Sequence, residues 1–144
     1  MEEHEEISEE TSDYLNRVFR HAEHENIVCY KADELKPCSP SNANADVRGI
    51  IVNMNWPDKQ QLPYQAAHEV KHIELEHHGV CYFDGRDISG QEGAANRGAV
   101  DMLVGLYFAD RSMESANPYQ FMAAFSIPNS MYDYVCDSIC NFYD

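Results

Sequence analysis

The chain has 144 residues, enough for one compact domain on one core and little beyond it. Its hydrophobic content of 44% is ordinary for a globular protein, while a formal net charge of −15 repels phosphate backbones and argues against direct binding of nucleic acid. No apolar run reaches the roughly 18 residues that a membrane helix needs, and the acidic opening lacks the basic and then apolar pattern of a signal peptide, so the expected location is cytoplasmic.

Residues 1–144 read as a single domain, with 1–7 as a flexible acidic lead-in. The spacing of Ile7, Tyr14, Leu15, Val18, Phe19 and Ala22 predicts an amphipathic helix from about Ser8 to Glu25. Ile27 to Tyr30 is a short strand candidate, and Pro37 to Asn42 a loop by composition. Val47 to Asn53, rich in β-branched residues, is the strongest strand signal. After a turn at Asn55 to Asp58, a helix is predicted from Leu62 to about His78, with Pro63 in its first turn and Gly79 as a stop. Cys81 to Phe83 reads as extended, Asp84-Gly85 as a turn, and Gln91 to Ala109 as the next helix. Two more helices follow, Pro118 to Phe125 and Asn129 to Cys140. One helix, a group of strands and then a run of helices is an α+β order. Five widely spaced cysteines make no disulfide framework. Cys136 and Cys140, one helical turn apart, are expected to be buried reduced thiols, and Trp56 a core anchor.

The chemistry concentrates in His68-Glu69-Val70-Lys71-His72. Residues four apart on a helix share a face, so both imidazoles can reach one ion. Glu69 is rotated away from that ion but can reach a water beside it. Two nitrogen ligands with an adjacent carboxylate base are what a zinc hydrolase needs. Ala66, Val70 and Ile73 place the histidines toward the packed side of the helix.

A catalytic zinc needs a third protein ligand. His78 would require a chain reversal after His72, and Glu76 would put three ligands in a row on one straight helix. Glu92 is the best candidate, on a helix whose Gly93, Ala94, Ala95, Gly98 and Ala99 permit close approach to the first. Asn96, one turn on, can accept a hydrogen bond from a ligand imidazole and set its tautomer.

The segments Leu62 to Ile73, Glu92 to Ala99 and the strand Ile50 to Asn53 resemble the ImmA/IrrE metallo-endopeptidases, above all the compact phage and mobile-element members. The resemblance covers about Arg48 to Leu106. It implies a single small zincin-like domain, one Zn2+ per chain on His68, His72 and Glu92, and Glu69 as the catalytic base. It also implies a protein substrate, a helix-turn-helix transcriptional repressor. Lys71, Ala94 and Gly98 depart from the family pattern, and none is a ligand.

His77, His78, Tyr82 and Tyr107 are available as oxyanion donors, each better read as structural. The strand around Ile50 is a candidate sheet edge for holding an extended substrate. Two other readings compete: a zinc-dependent regulator that binds a repressor without cutting it, and a structural metal site in an interaction module. Manganese and iron also suit two histidines and a carboxylate, with zinc preferred.

Overall fold

The computed structural model describes residues 6–84 and 90–144. Helix α1, Glu9–His24, begins where the Ser8 hydroxyl accepts the Thr11 amide at 3.1 Å. Leu15, Val18, Phe19 and Ala22 are its buried stripe, as their spacing predicts, and Ile7 packs against the same core. Met1 to Glu5, the rest of the acidic lead-in, lie outside the described residues, as does Gly85 of the expected turn.

Strands β1 (Val28–Ala32), β2 (Asn42–Asn44), β3 (Gly49–Asn53) and β4 (Val80–Tyr82) form one sheet in the order β1-β3-β2-β4. β1 runs parallel to β3, and β2 is antiparallel to both β3 and β4. The strand around Ile50 is therefore interior, paired on both sides, and is no edge for a substrate. Ile50 and Val52 turn inward and are buried, because alternate residues of a strand face opposite ways.

Polar side chains tie the long β1–β2 connection to the sheet. The Asn53 amide donates to the carbonyls of Lys36 and Ser39, and that of Asn55 to those of Asp33 and Leu35, all at 2.8 Å. Buried Ser41 accepts the Asn53 backbone amide at 3.1 Å and donates to Gln65 at 2.7 Å. That last bond locks the sheet to helix α2, Leu62–Glu74.

α2 has Pro63 in its first turn, where a missing amide hydrogen costs nothing. It ends at Glu74, four residues before the expected His78. The amide of Glu76 bonds to the Ile73 carbonyl at 3.1 Å and that of His77 to the His72 carbonyl at 3.0 Å, the paired bonds of a Schellman cap. Glu76 takes the left-handed position, φ 59°, which glycine usually fills. Hydrophobic burial stops at Ile73, and Leu75 is 48% exposed, so nothing rewards a further turn of helix. Gly79 is not the terminator.

Helix α3, Gly90–Phe108, lies along α2 with Gly93, Ala95 and Ala99 buried. A Cβ on Gly98 would stand 2.7 Å from Cγ and Cδ of Lys71, so the lysine stem fills the space that this glycine leaves. Helices α4 (Pro118–Ala124) and α5 (Tyr132–Tyr143) close the domain. Asp101 on α3 holds α5 by accepting from Tyr134 at 2.7 Å and Ser138 at 2.6 Å.

Tyr107 is buried among Tyr14, Phe121 and Phe125. Fifteen residues along α3 from Glu92 it stands about 22 Å away at 1.5 Å per residue, which removes it as an oxyanion donor. Cys136 is half-buried and Cys140 exposed, not buried as expected, and all five thiols are free. Trp56 packs at the rim of the core, edge-on to Phe83. No helix among the described residues is long and apolar enough to cross a membrane.

Candidate metal centre

α2 and α3 bring three donors together. His68 and His72 project from one face of α2 and are buried at 0% and 1% exposure. Glu92 comes from the first turn of α3, with its side chain 23% exposed, and so forms the open side of the cluster. Nε2 of His68 lies 3.0 Å from Nε2 of His72 and 3.0 Å from Oε1 of Glu92, and Nε2 of His72 lies 2.6 Å from Oε2 of Glu92. One ligand atom from each residue falls within 4.8 Å of the others, an arrangement that can hold a metal ion.

Asn96 settles the proton on His68. Its amide NH2 donates to the Asp84 carbonyl at 2.9 Å, so the amide oxygen faces His68 Nδ1, 2.6 Å away, and accepts its proton. Burial holds the His68 imidazole below its ordinary pKa, although Glu92 opposes this. A neutral His68 with its proton on Nδ1 presents a lone pair at Nε2, aimed at the Glu92 carboxylate and His72. Burial works against an ionised Glu92, and the adjacent imidazoles favour it only when they carry a proton at Nε2. A lone pair facing a carboxylate at 3.0 Å is repulsive unless a cation lies between them.

The donor set fits such a cation. Tetrahedral zinc, with bonds of about 2.0–2.1 Å, needs donors roughly 3.3 Å apart. The imidazole nitrogens stand 3.0 Å apart, with Glu92 Oε1 3.0 Å from His68 and Oε2 2.6 Å from His72, so these pairs need open by well under 1 Å.

Glu69 is fully buried, one residue beyond His68, and its Oε1 is 3.9 Å from His68 Nε2. Among the described residues neither carboxylate oxygen has a hydrogen-bond partner. Burial first, then the charge of Glu92, pushes its pKa well above the ordinary carboxylate range. Such an orphaned acid is costly to a fold and calls for a partner such as a water or an ion.

The structure thus brings together all five residues singled out in the sequence: His68, Glu69, His72, Glu92 and Asn96. It leaves out the two weaker ligand candidates, since Glu76 and His78 are exposed. Tyr82 is 60% exposed and is not one of the three donors.

Two neighbours had no specific signal. Phe83, just after β4, sets its ring edge-on to His68 at 5.0 Å between centroids and walls that side. His77 places Nδ1 2.8 Å from Nδ1 of His72. Burial and the adjacent His72 push the His77 pKa down. Neither contact is readable without knowing where α2 stops and β4 runs. Compared with protein-family models, curated proteins and solved structures, the chain matches none of them.

Proposed function

We propose that the chain is a zinc-dependent endopeptidase, with the ion held by His68, His72 and Glu92 and with Glu69 as general base. The observation that carries this reading is the orphaned Glu69 carboxylate beside a three-donor cluster. A structural zinc site closes with a fourth protein ligand, and among the described residues the cluster has three. A base with no hydrogen-bond partner among the described residues favours chemistry over mere metal retention, and so favours the peptidase over a regulator that only binds its target.

When bound, zinc supplies Lewis acidity toward a water and a peptide carbonyl. Glu69 takes the proton of the attacking water on a carboxylate oxygen and passes it to the leaving amine. Burial and the charge of Glu92 raise its pKa, the direction that makes a carboxylate a stronger base. Asn96 keeps the His68 proton on Nδ1 and the lone pair on the site. The zincin-like reading of the fold and the repressor as substrate rest on the resemblance of residues 62–73 and 92–99 to the ImmA/IrrE peptidases.

The test is metal content of the purified protein, paired with hydrolysis of a co-expressed helix-turn-helix repressor. About one zinc per chain is expected in the wild type and in Glu69→Gln. Zinc should be lost or strongly weakened in Glu92→Ala, and cleavage lost in both variants. Cleavage that survives Glu69→Gln would remove the catalytic role, and full occupancy in Glu92→Ala would remove the ligand set.

A further inference from the structure

We propose that His77 is a positioning residue for the metal centre: its Nδ1 accepts the Nδ1 proton of His72 and so fixes His72 with its Nε2 lone pair toward His68 and Glu92. This rests on the metal reading above and extends it to the other end of the ligand pair.

The argument begins with the backbone. α2 stops at Glu74, and the Schellman cap with Glu76 at φ 59° turns the chain back on itself. The reversal brings the His77 ring against the outer side of His72, with centroids 5.1 Å apart and planes at 63°. A left-handed glutamate is a strained choice for that cap, and the turn it makes aims one side chain at a buried histidine.

Proton placement follows from the 2.8 Å separation of the two Nδ1 atoms. Two N–H groups at that distance would repel, as would two lone pairs, so one ring carries the proton and the other accepts it. With the proton on His77, His72 would have to carry its own on Nε2. That N–H would point at Glu92 Oε2, 2.6 Å away, and occupy the place of the ion. With the proton on His72, all three cluster donors offer electron pairs to one point. His77 then does for His72 what Asn96 does for His68, from a turn instead of a helix.

The experiment uses the full chain, with zinc affinity measured by competition against a chromogenic chelator for wild type, His77→Ala, His77→Asn and Glu92→Ala. His77→Ala should weaken zinc binding about 10–100-fold. His77→Asn should stay within a few-fold of wild type, because an amide oxygen replaces the lost acceptor. The metal-free His77→Ala protein should stay folded, with its melting temperature lowered only by the loss of one hydrogen bond. Nitrogen NMR of the imidazoles should find the His72 proton on Nδ1.

Unchanged affinity in His77→Ala overturns the proposal. A loss as complete as that of Glu92→Ala also overturns it, by making His77 a ligand. The tautomer is read in the zinc-loaded protein, because without the ion Glu92 Oε2, 2.6 Å from His72 Nε2, draws the proton to that nitrogen. A wild-type chain that takes up no zinc overturns the metal reading, whereas a zinc-loaded chain whose His72 carries its proton on Nε2 overturns this one.

Discussion

Glu69 is where stability and chemistry pull apart most clearly. A fully buried carboxylate without a hydrogen-bond partner among the described residues is unfavourable whether ionised or protonated, and its neighbour Glu92 adds a like charge. Its replacement by a neutral amide should therefore stabilise the metal-free fold while it removes the proposed base. Urea denaturation of metal-free Glu69→Gln at neutral pH is expected to give a stability about 1–3 kcal/mol above wild type. A clear loss instead would mean that Glu69 has a structural partner in solution and is no idle base. The ligand residues differ, since His68, His72 and Glu92 each touch at least one other member of the cluster.

At the scale of elements, the parts nearest the chemistry were the most legible. The helical spacing of His68 and His72 and the small residues of α3 were enough to bring Glu92 and Asn96 to the right place. The sheet was less legible. β2 is Asn42-Ala43-Asn44, poor in strand-forming residues, and exists because β3 and β4 pair with it on either side. Without β2, β3 looks like an edge. The end of α2 was misjudged for a related reason, since its left-handed cap residue is Glu76 and not glycine. Placing His77 depended on that boundary. The Lys71–Gly98 contact is another pairing visible only once the helices pack. Alanine at 98 would gain helix propensity of about 0.5–1 kcal/mol, but its methyl group would displace the Lys71 stem and disturb the 3.1 Å pair with Glu74. Gly98→Ala alone is expected to be neutral or destabilising, and to become stabilising in a Lys71→Ala background. Denaturant titration of the four proteins should give a coupling energy of about 1–3 kcal/mol. Additivity would mean that the lysine stem is not held over Gly98.

For the molecule as a whole, the question is how far the fold depends on its metal. The core runs from the α1 stripe through Ile50 and Val52 to the aromatic cluster of Tyr107, Phe108, Phe121 and Phe125, and none of these residues belongs to the metal cluster. Chelation should therefore leave the far-ultraviolet circular dichroism unchanged and lower only the melting temperature. A ligand present at 100 times its Kd adds about 2.7 kcal/mol, and a domain near this size gains roughly 2–4 °C per kcal/mol, so restoring zinc should raise the midpoint by about 5–11 °C. A chain carrying −15 charges also attracts divalent ions nonspecifically, which makes Glu92→Ala the necessary control. Diffuse binding would shift that variant as much as wild type, whereas a built site would shift wild type far more. Collapse of the dichroism signal on chelation would instead support a structural metal whose loss unfolds the domain. The intact core predicts a metal-free protein that stays folded.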